Sequence, residues 1–441
     1  MARVSLVSLG CPKNLVDSEG ALGEIAQAGH IIIADNTCAD VIIVNTCGFI
    51  ESARAESIDA VLEALEHKES GSCKAVIVIG CLAQRFADDL AKEMPDVDAF
   101  LGVGHAGKLN EVIDKALAGE HLSGISAPPQ KWVEHADRIQ STPPWTAYLK
   151  VSDGCDNRCA YCAIPDIRGP FRSRPEALIV DEAKRMADSG VKEIVLVGQD
   201  LTQYGWDDER PNLLPSLLEK LNEIDSLKWI RLLYCYPTKV TPDLIDAIAS
   251  LDKVAKYMDL PLQHGDDGVL KAMNRRGYVD SYLSLIERLR AKCPEIALRS
   301  SFIVGFPGET DAAFDNLYAF VEKIRFDRVG VFTYSREEGT PASEMKDLVS
   351  RKTAAVRYKK LMWLQQGISL EKNKSFIGKT MEVLVEGYTE DGVFGRSYRD
   401  APDIDGVVYL PGSDAEPGDF VKIIITEASE YDLVGSDLEC P

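Results

Sequence analysis

The chain has 441 residues, 45% hydrophobic and 27% charged, which is too long for one ordinary core and too apolar for extended disorder. A formal net charge of −21 argues against general nucleic-acid binding and favours a basic partner. The 11 cysteines, an odd number, argue against a disulfide framework and point to metal.

Residues 1–10 carry neither a basic flank nor a long apolar core, so no secretory signal is expected. Apolar runs such as Val41–Val44 fall far short of the roughly 20 residues a membrane helix needs. A cytoplasmic protein with no membrane partner is expected. Residues 1–125 alternate Val/Ile-rich runs with helical stretches, the pattern of an open parallel α/β sheet domain. Three runs end at a cysteine: Val4–Gly10 precedes Cys11, Val41–Thr46 precedes Cys47 and Ala75–Gly80 precedes Cys81. If the strands are parallel, these thiols share the carboxyl edge of the sheet, where such folds place their ligand crevice. A single metal site is then expected from them. Taken alone, each reads as a small buried residue, and Cys38, Cys73, Cys235, Cys293 and Cys440 keep that structural reading.

Residues 126–144 contain the proline pairs Pro128-Pro129 and Pro143-Pro144, as an interdomain linker does. Within residues 145–350, strand-like runs begin near Ala147, Glu193, Trp229, Lys256, Ala297 and Arg328. Six such units fall short of the eight of a closed barrel, so an open, partial (β/α)6 barrel is expected. The run Cys155-Asp-Asn-Arg-Cys159-Ala-Tyr-Cys162 follows its first strand, at the end where barrel chemistry sits. The nearest histidine, His135, lies twenty residues upstream, and the next cysteine is Cys235. A closed structural metal site takes four ligands, so three thiols without a fourth leave a position open for substrate or cofactor. A redox dithiol at Cys159 and Cys162, or zinc completed from afar, are the alternatives.

Residues 351–374 have helical composition, with seven Lys/Arg against the single acid Glu371. A solvated connecting helix is expected, with contact to an anionic surface as the alternative. Residues 375–441 switch to short β-type runs, Thr380–Glu386, Val407–Leu410 and Phe420–Thr426, the form of a small β-barrel. Its four basic residues, Lys379, Arg396, Arg399 and Lys422, stand against fifteen acidic ones, a net −11.

The Cys155–Cys162 spacing, with Tyr161 before the last thiol, resembles the signature of the radical S-adenosylmethionine (SAM) superfamily. Ser8–Glu19, Asn45–Ile50 and Gly80–Ala83 resemble the N-terminal domain of the methylthiotransferases. The likeness spans essentially the whole chain and ends in an OB-like TRAM barrel. It implies that Cys155, Cys159 and Cys162 hold one 4Fe-4S cluster whose fourth iron binds SAM, and that Cys11, Cys47 and Cys81 hold an auxiliary 4Fe-4S cluster. Electron transfer from the first cleaves SAM to a 5'-deoxyadenosyl radical. A second SAM methylates sulfur, supplied as sulfide or polysulfide or by the cluster itself, at the auxiliary site. A low-potential electron donor is implied.

For SAM, the likeness places Tyr161 by the adenine, with packing as the plainer alternative. Gly198, Gln199 and Asp200 end the second strand, where they would hold the methionine and ribose, a strand-terminating turn being the alternative. Arg174 and Arg299 would meet carboxylates, and Gly305 and Gly308 would admit close backbone approach. His264 reads as a loop or orienting residue.

Pro12-Lys13-Asn14 and Gly48-Phe49, with Pro261–His264 and Leu298–Thr310, resemble the branch acting on small-subunit ribosomal protein S-twelve, free or within the subunit. That branch adds a methylthio group to an aspartate β-carbon. A tRNA methylthiotransferase acting on a modified adenosine is the nearest alternative, and a non-catalytic iron-sulfur carrier or scaffold is one of another class. TRAM domains generally bind RNA, an affinity that rests largely on Lys and Arg. The acidic barrel therefore argues against direct RNA binding and for docking of a basic protein, through acids such as Asp400, Asp403 and Asp405.

Overall fold

The N-terminal runs form six parallel strands in the order Ile31–Ile32, Arg3–Ser8, Val41–Thr46, Ala75–Gly80, Ala99–Leu101, Leu122–Ser123. The computed structural model describes residues 1–105, 107–123, 127–134, 137–208 and 213–438, so His135 and Cys440 lie outside it. Val41–Thr46 and Ala75–Gly80 are buried at every position. Helices explain why: Pro12–Gln27 and Leu109–Leu117 cover one face through Ile25, Leu109 and Ile113. Glu51–Ser70 and Cys81–Glu93 cover the other through Val61, Ala64 and Leu82. Both faces being dry, the strands read as continuous apolar runs instead of alternating ones, and each fully buried Val or Ile contributes about 1.5–3 kcal/mol.

The central segment has the six parallel strands expected: Thr146–Lys150, Glu193–Val197, Trp229–Leu232, Tyr257–Asp259, Ala297–Val304 and Arg328–Thr333. They pair in chain order, except that the third and fourth meet through a bridge from Ile230 to Val254. The first and last strands do not pair, so the barrel is open. Helix Pro12–Gln27 closes over the free edge of the first strand, with Val16 packed on Tyr148 and Lys150 bonded to Asp17.

Residues 137–142 are not the free linker expected. Arg138 is a buried three-way tie: its guanidinium meets Glu19 at 2.9 Å, Glu182 at 2.6 Å and the carbonyl of Tyr148. Ser141 adds backbone and hydroxyl bonds to Glu19 at 2.7 and 2.9 Å. The proline pairs mark a stiff strap laid across both domains.

Helix Arg351–Lys374 also departs from a solvated connector. One face, carrying Ala354, Arg357, Leu361, Gln365, Ile368 and Ser369, is buried against the central barrel, and Asn373 at its end is buried against the C-terminal barrel. Arg357 meets Glu309 at 3.1 Å and Asp311 at 2.7 Å. Gln365 donates to the carbonyl of Phe326 at 3.0 Å. Lys359, Lys360 and Trp363 remain on the outer face.

The C-terminal strands close into a barrel in the order Thr380–Thr389, Gly392–Ser397, Val408–Pro411, Leu433–Asp437, Phe420–Ala428. It joins the central domain through buried ion pairs. Glu193 accepts from Arg231 at 2.8 Å and from Arg396 at 2.6 Å. Asp327 takes Arg399 at 2.9 Å and Lys372 at 3.0 Å, while Arg328 meets Asp400 at 2.5 Å. Asp405 accepts from the Tyr257 hydroxyl at 2.7 Å and lies 3.4 Å from Arg299. Asp400 and Asp405 are therefore seam residues and do not face a partner, a correction to the docking acids named from sequence. Asp403 is exposed and accepts from Tyr148 at 3.2 Å.

Candidate functional site

Arg3–Ser8, Val41–Thr46 and Ala75–Gly80 are adjacent parallel strands, with Ser8 opposite Asn45 and Thr46 opposite Gly80. Cys11, Cys47 and Cys81 thus leave the sheet at one edge. Asn14 stitches that edge together, donating to the carbonyls of Leu9 at 2.6 Å and Thr46 at 3.4 Å. Ser57 fixes Cys47 by accepting from its backbone N–H at 2.9 Å and donating to its carbonyl at 3.1 Å. Gly10 has φ +91°, and a Cβ there would lie 2.8 Å from that of Cys47. Only glycine admits both the left-handed turn and the close thiol.

The second triad sits in the loop after Thr146–Lys150, with Arg158 at φ 48° in the left-handed region. Bonds from other segments hold this loop. Ala160 N–H donates to Met273 O at 2.8 Å, Asn274 donates to Arg158 O at 2.7 Å, and Arg275 reaches Cys159 Sγ at 3.7 Å. Asn157 donates to Cys155 Sγ at 3.5 Å and to Asp200 at 2.8 Å.

Burial pushes the Cys47 and Cys155 thiols up to about 11, and the neighbouring thiols of each triad add to the rise. Burial and then Cys159 raise Cys162 further. At Cys11 burial also opposes ionisation, but Lys13, Arg168 and backbone N–H groups outweigh it and hold this thiol below its ordinary range. At Cys47, Cys155 and Cys162 burial and neighbouring thiols thus oppose ionisation, which a positive inorganic centre relieves. The described cysteines are all free. Among the described residues no three His, Cys, Asp or Glu side chains converge to hold a single metal ion. The thiol-only donor sets suit an iron-sulfur body.

The remaining cysteines sit elsewhere: Cys73, Cys235 and Cys293 lie in apolar cores and Cys38 is exposed. His264 is fully buried, 3.4 Å from Glu309, with its Nδ1 accepting from Asp266 N–H at 3.1 Å.

Of the residues expected around SAM, Gln199 and Gly198 border a polar cradle. Ser152 Oγ and Gln199 Oε1 are buried without a hydrogen-bond partner, and a Cβ on Gly198 would lie 2.3 Å from Ser152 Oγ. Asp200 differs from the expectation. It takes bonds from Asn157, Lys239 and Thr202 at 2.8, 2.9 and 2.6 Å, so it braces the cysteine loop from within. Arg174 is likewise engaged by Glu134 and Glu182, and Arg299 by Asp259 at 3.0 Å and by Asp405. A buried guanidinium needs such partners, and its own protein supplies them here. Tyr161 packs with Phe306, Met273 and Ala342. Gly305, at φ +77°, makes room for helix Arg351–Lys374, since a Cβ there would lie 2.6 Å from that of Ala354; Gly308, at φ +82°, has open space.

The two triads border one interdomain seam. Cys81 shares a buried apolar cluster with Val103, Ala163 and Ile167, and Ala163 directly follows Cys162. On the other side Glu337, beyond the last barrel strand, binds Arg54, and it lies 3.2 Å from Arg85. Arg85 in turn donates to the carbonyl of Gly48 at 2.9 Å. Sequence reasoning missed Arg168, Arg275, Asn157 and Glu337, because no spacing rule ties them to the thiols.

Residues 3–102 match the family described as uncharacterized protein family UPF0004, residues 149–321 the radical SAM superfamily and residues 377–437 the TRAM domain. Among solved structures, the radical SAM methyltransferase TsrM from Kitasatospora setae, with cobalamin and a [4Fe-4S] cluster bound, superposes with TM-score 0.58. It is 14% identical, over 89% of this chain and 81% of its own, which is a likeness of fold. The ribosomal protein uS12 methylthiotransferase RimO of Trichlorobacter lovleyi is 48% identical over 99% of this chain and 98% of its own length. That of Geobacter sulfurreducens is 49% identical over 98% of each. With such likeness over nearly its whole length, the chain belongs to the RimO family of radical SAM methylthiotransferases.

Proposed function

We propose that this enzyme adds a methylthio group to the β-carbon of an aspartate of ribosomal protein uS12, replacing hydrogen by S–CH3. The supporting observation is the pair of cysteine triads, one at the edge of the N-terminal sheet and one in a loop of the central barrel, meeting at one seam. Cys155, Cys159 and Cys162 would hold one 4Fe-4S cluster and Cys11, Cys47 and Cys81 a second. When bound, these groups and SAM supply an electron, a 5'-deoxyadenosyl radical able to remove hydrogen from an unactivated carbon, and a methyl group for sulfur.

The chain's own residues bind and orient. Each triad contributes thiolates and leaves one coordination position to a non-protein ligand, SAM at the barrel loop and a sulfide or polysulfide at the sheet edge. Ser152 and Gln199 offer free polar atoms beside the barrel loop. Asp200 and Asn157 hold Cys155 in place. The three segments 1–125, 145–350 and 375–441 act as auxiliary-cluster, SAM and docking domains, and a low-potential donor provides electrons. For docking, the barrel presents the exposed acids Glu382, Glu390, Asp391, Glu416 and Asp419, complementary to a basic ribosomal protein.

Mass spectrometry of uS12 from cells with and without the gene tests this reading. An increment of about 46 Da on one aspartate, the CH2S gained when methylthio replaces hydrogen, is expected only with the gene. Unmodified uS12 together with a gene-dependent methylthio-adenosine in tRNA would transfer the chain to the tRNA reading.

A further inference from the structure

The short helix Ile164–Arg168 leads out of the Cys155–Cys162 loop and ends on a side chain that serves the other triad. Arg168 is 1% exposed. Its Nη2 donates to Cys81 Sγ at 3.4 Å and to Asn14 Oδ1 at 3.2 Å, and its Nη1 donates to Asp17 at 2.6 Å. Asp17 and Asp153 face Arg168, Lys150 and Arg172, and buried Lys13 stands as a further cation beside Cys11, so cations outnumber carboxylates.

We infer that Arg168 is a positioning residue that sets the reduction potential of the cluster on Cys11, Cys47 and Cys81, without setting that of the cluster on its own loop. The inference rests on the two-cluster reading above. Reduction adds an electron to a buried site, and an N–H directed at a ligand sulfur stabilises the more negative state. Removing that donor and its charge makes reduction harder. The second cluster has its own donor, Arg275 at Cys159, so its potential stays.

The test uses the full-length protein, reconstituted anaerobically with iron and sulfide. Each cluster is followed by electron paramagnetic resonance during a reductive titration, and added SAM marks the signal of the Cys155 loop. Arg168→Gln leaves Asp17 with Lys150, and Asp153 with Lys150 and Arg172, so both carboxylates keep a cation. For this variant the one-electron equilibrium of the N-terminal cluster is expected to move at least tenfold toward the oxidised form, about 59 mV. The SAM-responsive signal is expected not to move. Arg168→Lys keeps charge and a donor but loses the planar fork, and its midpoint is expected between the two. Equal shifts at both clusters, or no shift with about eight irons bound, overturn the inference. About four irons in the unaltered protein overturn the two-cluster reading instead. If the Gln variant fails to load iron at the N-terminal triad, the Lys variant decides, and a midpoint equal to the unaltered protein's overturns the inference.

Discussion

At the scale of single residues, the two sets of thiols have separable duties. Cys155→Ala is expected to abolish reductive cleavage of SAM, measured as release of 5'-deoxyadenosine. Cys11→Ala is expected to leave cleavage measurable and to stop methylthiolation. Equal loss of both activities in folded variants would contradict the division. Single carboxylates also fix how the protein responds to acid. Against the cost of burial, the Arg396 and Arg231 guanidinium groups hold Glu193 below its ordinary 4.5, and Lys372 and Arg399 hold Asp327 below its ordinary 3.8. For such depressed groups the stabilisation is complete above the ordinary value and is lost as pH falls through the folded value. Asp405, raised by burial, works in the opposite sense. Asp153, Glu182 and Glu337 are held low as well, so depressed groups outnumber Asp405 and unfolding midpoints in denaturant are expected to hold steady down to about pH 4.5 and then fall. A midpoint that rises through that window would contradict the assignment. The cysteines of both triads were legible as residues because thiolate chemistry demands them at strand ends and in a tight loop. Arg168 was not, since it lies beyond any motif and its role depends on a contact between domains.

Elements differ in how openly the sequence displays them. Strands Val41–Thr46 and Ala75–Gly80 stand out because both faces are dry. Helix Arg351–Lys374 reads as solvated because the face it buries carries Arg357, Gln365, Ser369 and Asn373, which hide a docking surface among polar letters. Strands Gly392–Ser397 and Leu433–Asp437 escape notice because glycine and serine break the alternation on which a strand reading relies. The strand Glu193–Val197 begins on the carboxylate that joins barrel to core. Glu193→Ala would leave Arg231 and Arg396 without their shared counter-ion, and breaking a buried pair costs about 3–5 kcal/mol. Urea unfolding is expected to show a loss of that order, and a loss near zero would remove Glu193 from the seam's energetics.

Over the whole molecule, charge is sorted by depth. Arg396 and Arg399 of the C-terminal barrel are buried in the seam together with Asp400 and Asp405, so burial removes two charges of each sign and the accessible surface stays strongly acidic. Glu390→Lys with Asp391→Lys is expected to weaken uS12 binding at low salt while leaving the unfolding midpoint in place, as checked by titration at two ionic strengths. Unchanged, salt-insensitive binding would remove the barrel from recognition. Asp400→Lys is expected instead to loosen the barrel itself, because it strands Arg328.

Arg138 has an implication for biosynthesis. Its guanidinium closes on Glu19, translated earlier, and on Glu182, translated later. As the polypeptide emerges, the leading sheet can assemble while its carboxylate waits without a counter-charge until Arg138 appears. Vectorial synthesis therefore imposes a sequence on assembly: the first lobe is shaped early and sealed late.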